Sequence, residues 1–331
     1  MLRVFYNGFW EEPSETNISP LFLFFQDLLE RTFSTKIVLT NNIEDADILM
    51  ESVFMNHTGS KFHTKKLNVA STHVPLDNRR ESRGTWKYTL FFSMENRIVQ
   101  NYPEYDCVLW GEDIGGNVVC CPAFVPHLFV NHGLVELMNN ATTNAISNIM
   151  KHTLPKPKIC VIISNPGGQD RNTFLDVLEK HFQVDYAGRY RNNVPVIQAP
   201  FSSPEFLQFV GQYRCVLTME NSRGGAYITE KITHGLLAGT IPIYWGARDV
   251  GKYLNEDRFI HVRNMNPEEM EQACQQIHTV MTDDDAYRTM VAQPIFRDAS
   301  GNAVSHMPIN MDTLIKEMIR VLQNKICINN T

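Results

Sequence analysis

The chain has 331 residues, 43% hydrophobic and 20% charged, with a formal net charge of −6, an ordinary globular make-up that excludes disorder as its organising property. The negative balance gives no general attraction to nucleic acid, so an anionic ligand has to be held by a few local cations. The length suits two moderate domains, and seven cysteines without a C-x-x-C pair predict neither a disulfide framework nor a zinc site and point to a reducing compartment.

Leu2 to Tyr6 reads as a strand, and Pro20 to Phe33 as a helix with Leu21, Phe24, Phe25, Leu28 and Leu29 at helical spacing. Strands at Lys36 to Leu39 and near Asp47 to Met50 continue an alternating β/α order, which predicts a mostly parallel sheet. Asp45-Ala46-Asp47 formally matches the D-x-D pattern of metal-holding transferases, as does Asp283 to Asp285. Acidic residues beside a strand are ordinarily solvated, so no metal is expected. Lys61 to Arg83 is polar and basic, an exposed loop. Tyr88 to Phe92 is an apolar run ending in Ser93-Met94-Glu95-Asn96. It places the Glu95 carboxylate where a strand gives way to a loop, a position for a catalytic base and equally for a capping glutamate. The most apolar early segment, Pro20 to Phe25, is too short to cross a bilayer, and no signal peptide or anchor is visible.

Met150 to Lys158, with two prolines and three lysines, suits a stiff linker and predicts a boundary between domains 1–152 and 153–331. Ile159 to Ile163 is a strand, Asn165 to Gly168 a turn, and Arg171 starts a helix with Phe174, Val177, Leu178 and Phe182 as its buried stripe. Arg214 to Met219 reads as a buried strand and Glu220 to Gly225 as a turn. A helix from about Ala226 follows, with Ile228, Ile232 and Leu236 as its core face and Gly239 as its stop. Tyr227, Glu230, Lys231 and His234 fall on one polar face of that helix, near its N-terminus, where backbone N–H groups and the dipole favour an anion. The same spacing equally suits a solvated surface helix. Thr240 to Trp245 is a second strand, in which Pro242 argues for a sheet edge or an irregular strand. Asn266 before Pro267 starts a further helix, and Met311 to about Lys325 forms the last.

The run Glu220-Asn221-Ser222, four residues, Tyr227 to Ile232 (YITEKI) and Gly239 to Ala247 (GTIPIYWGA) resembles the signature of the α1,3/4-fucosyltransferases, glycosyltransferase family 10. The resemblance is good in the C-terminal half and weaker in the N-terminal half. It implies an α/β GT-B fold of two Rossmann-like domains facing a central cleft, the first on the acceptor side and the second binding the nucleotide sugar. It further implies GDP-fucose as donor, an acceptor oligosaccharide as partner, and inversion at the anomeric carbon without a metal cofactor. In the family, a Glu-Asn after an aromatic strand supplies the presumed base, which here is Glu95. Arg171, following Ser164-Asn165-Pro166, and Lys231 are expected to neutralise the leaving diphosphate. Tyr227 and Glu230 lie against sugar and nucleotide, and Asn221 and Ser222 shape the loop. Asp185, Gly188, Arg189 and Asn193 also resemble family positions. Where the family often has Arg-x-Pro, this chain has Cys120-Cys121-Pro122, so acceptor contacts do not carry over.

Without a visible anchor the chain resembles the cytoplasmic bacterial or viral members rather than the membrane-tethered Golgi ones. The glycosylation triplets at Asn17, Asn56, Asn140 and Asn329 then carry no meaning. No C-terminal heptad repeat supports assembly. Two other readings stay open: the same fold with another nucleotide sugar, and a nucleotide-sugar binder without catalysis.

Overall fold

The computed structural model describes residues 1–9, 19–53, 86–98, 102–131, 133–151 and 153–328, with side chains up to 323. Asn17, Asn56, Asn329 and the basic stretch 61–83 lie outside the described residues. The chain divides into two units, Met1–Asn131 with Ile309–Thr331, and His132–Pro308.

In the first unit, strands β1 (Leu2–Asn7), β2 (Ile37–Leu39), β3 (Ile48–Ser52), β4 (Tyr88–Phe92), β5 (Cys107–Trp110) and β6 (Val118–Cys120) form one sheet in the order β2-β1-β3-β4-β5-β6. Every ladder is parallel, with Val4 opposite Ile48 and Leu90 opposite Cys107. Both faces of such a sheet must be covered, which is why β3 is buried at all five residues. One face carries α1 (Pro20–Phe33), whose Phe22, Phe25, Leu28 and Leu29 are buried. Phe25 meets Phe92 edge-on with ring centroids 4.8 Å apart. The other face buries Leu49, Phe91, Val108 and Trp86. Helix α2 (Phe124–Val130) and the terminal helix Met311–Ile328 pack against α1.

The second unit has strands β7 (Lys156–Val161), β8 (Val184–Tyr186), β9 (Tyr213–Leu217), β10 (Ile241–Tyr244) and β11 (Ile260–His261) in the parallel order β11-β10-β9-β7-β8. Its helices are α3 (Leu134–Lys151), α4 (Gln169–His181), α5 (Pro204–Val210), α6 (Glu230–Leu237), α7 (Pro267–Thr282) and α8 (Asp284–Val291). Phe174, Leu175 and Leu178 of α4 and Ala273 and Ile277 of α7 close over Ile159, Val161, Cys215, Ile241 and Ile243. The expected start of α7 is observed, with Asn266 Oδ1 accepting the Glu269 N–H at 2.8 Å.

The division differs from the expected boundary after residue 152. Helix α3 buries Met138, Ala141 and Ala145 and packs on α6 and α8, so it joins the second unit. Leu314, Met318 and Leu322 of the terminal helix are buried and that helix packs on α1, which returns it to the first. The expected linker is largely regular structure, with α3 running to Lys151 and β7 beginning at Lys156. Pro242 sits inside the sheet rather than at its edge. It is tolerated because the ladder to β11 starts only at Ile243, so no partner awaits the missing N–H.

The two acidic runs are structural. Asp47 accepts the Arg3 N–H at 2.8 Å and pairs with Lys87 at 3.0 Å. Asp283 caps α8 through the N–H groups of Asp285 and Ala286, and Asp284 pairs with Arg214. Among the described residues no group of three or more His, Cys, Asp or Glu is placed to hold a metal, and no helix is long and apolar enough to cross a membrane.

Candidate functional site

In the second unit the strand order reverses between β7 and β9, because β8 follows on one side of β7 and β9 lies on the other. Open parallel sheets bind ligands beyond the carboxyl ends of the strands at such a switch point. The loops leaving β7 and β9 meet there. A methyl group at Gly168 would stand 3.2 Å from the Asn221 carbonyl oxygen and 3.4 Å from Arg171 Nη2. Gly168 also has φ +96° at the start of α4, so glycine permits both the turn and the close approach.

Arg171 lies in the first turn of α4 and is only 4% exposed. Its Nη2 donates to the Asn165 carbonyl at 3.0 Å and to the Gly167 carbonyl, while its buried Nε has no partner among the described residues. Burial pulls the guanidinium below its ordinary pKa, and the nearby Glu220 charge opposes that. Asn165 itself accepts the Gly167 N–H at 2.9 Å, which tightens the turn.

The loop after β9 is built around a residue that sequence reasoning assigned to turn chemistry. Glu220 is fully buried. Its Oε1 accepts the Thr229 N–H at 2.8 Å and the Thr229 hydroxyl at 3.0 Å, and its Oε2 accepts the Lys231 ammonium at 2.9 Å. Burial pushes the Glu220 carboxyl up, while Lys231 and the Thr229 N–H pull against it. Burial likewise opposes the Lys231 charge, but the carboxylates of Glu220 and Glu230 outweigh it and hold the ammonium protonated. Gly246 lies against Glu220, and the loop is further pinned where the Arg248 and Asp249 N–H groups bond to Gly224 and Gly225. The signal available in the sequence was an acid directly after an apolar strand and a lysine eleven residues later, which spacing alone does not pair.

Helix α6 starts at Glu230 with Thr229 as its N-cap, later than expected, because Ala226 to Ile228 serve the loop. Tyr227 is therefore not on the helix. It is 7% exposed, and its hydroxyl donates to Asn221 Oδ1 at 3.4 Å, where Ser222 Oγ also bonds at 3.1 Å. Lys231 lies in the first turn, with Glu230 Oε1 3.7 Å from its Nζ. His234 does not share that position: its Nε2 contacts Ser202 Oγ at 2.8 Å and its ring packs on Phe206. Asn165, Arg171, Asn221, Ser222, Tyr227, Glu230 and Lys231 are thus gathered on two adjoining loops and the helix starts they feed. Asp185 pairs with Lys158, and Asn193 bonds the backbone of Val184 and Tyr186, so both serve the scaffold.

Glu95 belongs to the first unit, beyond the carboxyl end of β4, and is half-buried. Its backbone is fixed: its N–H donates to Ser93 Oγ at 3.1 Å and its carbonyl accepts the Trp110 indole N–H at 3.1 Å.

Residues 154–292 match the family model for the C-terminal part of glycosyltransferase family 10 (fucosyltransferase). Putative fucosyltransferase R654 of Acanthamoeba polyphaga mimivirus is 29% identical over 149 residues, which is 43% of this chain and 24% of that one. The α-(1,3)-fucosyltransferase FucT of Helicobacter pylori is 27% identical over 180 residues, 54% of this chain and 36% of that one. The chain therefore spans about a quarter to a third of the length of these curated relatives. A crystal structure of an α1,3-fucosyltransferase with GDP-fucose superposes with a TM-score of 0.69 at 20% identity, covering 98% of this chain and 90% of that one. That likeness extends the agreement to the whole chain at the level of fold, which is of the GT-B type. The two loops at the switch point lie inside residues 154–292, the stretch that matches the glycosyltransferase family 10 (fucosyltransferase) C-terminal model.

Proposed function

We propose that the chain is an inverting fucosyltransferase, which moves fucose from GDP-fucose to a hydroxyl of an acceptor glycan. The observation that carries the reading is the approach of Arg171 and Asn221 at Gly168, with Lys231 held by Glu220 of the same second loop, at the switch point and inside the stretch that matches the family. Two cations at adjacent helix starts suit a diphosphate. In the transfer, the acceptor oxygen forms a bond to the anomeric carbon while the bond to the diphosphate breaks. The electron pair leaves on the β-phosphate oxygen, where Arg171 and Lys231 offset the growing charge. The hydroxyl proton goes to Glu95, the general base. Tyr227 and Glu230 contact sugar and nucleotide, and the reading uses no metal.

A panel of GDP-, UDP- and dTDP-sugars offered with glycan acceptors tests it. Release of GDP from GDP-fucose only when acceptor is present supports the reading. Turnover of another donor, or binding without turnover, overturns it. Glu95→Gln should lower kcat by roughly 10²–10⁴-fold with donor affinity nearly intact, whereas Lys231→Ala should weaken donor binding as well.

A further inference from the structure

We propose that Glu220, helped by Thr229, is a positioning residue for Lys231, fixing the ammonium so that one N–H remains for the donor's diphosphate. The inference rests on the donor reading above. An ammonium carries three protons. Two are committed, to Glu220 Oε2 at 2.9 Å and to Thr229 Oγ1 at 2.9 Å. Glu230 Oε1, 3.7 Å away, is beyond hydrogen-bond reach and takes no third. The Lys231 side chain is 31% exposed whereas Glu220 is at 0%, so the lysine runs between the buried carboxylate and the surface of the loop.

Glu220 is itself held from every side. The Thr229 N–H and hydroxyl bind its other oxygen, and Gly246 packs against its Cβ and Cγ. Lysine has a flexible four-carbon stem, and ordering such a side chain at the moment of binding weakens affinity. Here the ordering is completed on folding. Glu220 also neutralises Lys231, so this cation contributes a directed hydrogen bond more than a long-range field.

A double-mutant cycle tests the inference, with GDP affinity measured by calorimetry and thermal midpoints followed in parallel. Glu220→Gln, nearly isosteric, should weaken GDP about tenfold, which is about 1.4 kcal/mol. In a Lys231→Met background the same change should alter GDP affinity less than twofold, because there is no ammonium left to orient. A general structural role would give equal losses in both backgrounds and would overturn the proposal, as would unchanged affinity in a folded Glu220→Gln. Lys231→Met alone should lower the melting temperature by stranding a buried carboxylate, and adding Glu220→Gln should raise it again. Thr229→Val keeps the Thr229 N–H bond to Glu220 but removes the hydroxyl that bridges Glu220 and Lys231, so it should weaken GDP about threefold; no change would remove the Thr229 hydroxyl from the arrangement. If the parent binds no GDP, the donor reading fails, while the thermal cycle still reports whether Glu220 holds Lys231.

Discussion

Gly246→Ala probes the support beneath the site. The added methyl would stand 2.4 Å from Glu220 Cγ, 2.8 Å from Glu220 Cβ and 3.2 Å from the Tyr244 hydroxyl. Those carbons lie close to the main chain, so a rotamer change at the far end of the side chain does not relieve the clash. Either the backbone shifts, at about 1–3 kcal/mol for overpacking, or the Glu220 carboxylate swings out and loses hydrogen bonds worth about 1–3 kcal/mol. Gly246 also has φ +153°, where a side chain adds about 1 kcal/mol or more of strain. The expected loss is about 2–4 kcal/mol, a fall of roughly 10 °C in melting temperature for a unit of this size. Gly301→Ala is the control: φ is +82° but nothing lies within 4 Å of the new methyl, so only about 1 kcal/mol of backbone strain is expected. Urea midpoints and circular dichroism melts of the two variants read the difference. Equal losses would refute the claim that Gly246 is there to let Glu220 pack. A Gly246→Ala protein that stays folded should also bind GDP more weakly, because Lys231 loses its anchor.

Arg171→Lys keeps a charge but cannot reproduce the guanidinium's clamp on Asn165 and Gly167, so GDP affinity should drop by about 2 kcal/mol, roughly 30-fold by calorimetry. Arg258 is fully buried, with Nη1 donating to the Thr240 carbonyl at 2.9 Å and its Nε and Nη2 without partners among the described residues. Burial lowers its pKa to about 10. Arg258→Met should therefore be neutral or stabilising by ~1–3 kcal/mol in urea denaturation, since it removes a poorly compensated buried charge. Asp47 sits low in pKa: burial would raise it, but the Arg3 N–H and Lys87 outweigh that. Its folded pKa is below its unfolded one, so its stabilisation is present above the ordinary carboxylate range and is lost as pH falls through the depressed value. The melting-temperature gap between parent and Asp47→Asn should accordingly be widest near neutrality and close as the pH falls beneath the ordinary carboxylate range.

The fold was legible wherever one chain segment carried its own periodicity. Pro20 to Phe33 reads as a helix from its apolar spacing and is observed with those bounds, and Tyr88 to Phe92 is likewise a strand at the same residues. The unit boundary was not legible, because it depends on which sheet an amphipathic helix finds. The apolar face of α3 and that of the terminal helix carry no address in their own residues. Composition at Met150 to Lys158 pointed to a linker, yet β7 begins at Lys156, since a sheet neighbour supplies hydrogen bonds that local propensity cannot anticipate.

The site divides in the same way. Arg171, Asn221, Tyr227 and Lys231 stood out because their strings resemble the family signature, since spacing alone equally suits a solvated surface. Glu220 did not, although it is the carboxylate that anchors Lys231. A buried acid after a strand resembles a turn residue until its partner is known, and that partner lies eleven residues on. The wheel argument failed at Tyr227 for a related reason: it extended the helix backward through Thr229, whose side chain instead caps α6 and binds Glu220. One threonine thus ends the loop, starts the helix and orients the lysine, and each of those tasks constrains the others. The cation that presents one N–H has its counter-charge in Glu220, and that counter-charge has Thr229 on one oxygen and Gly246 against its Cβ and Cγ. The run from Glu220 to Gly246 is the length of chain that holds all of these parts.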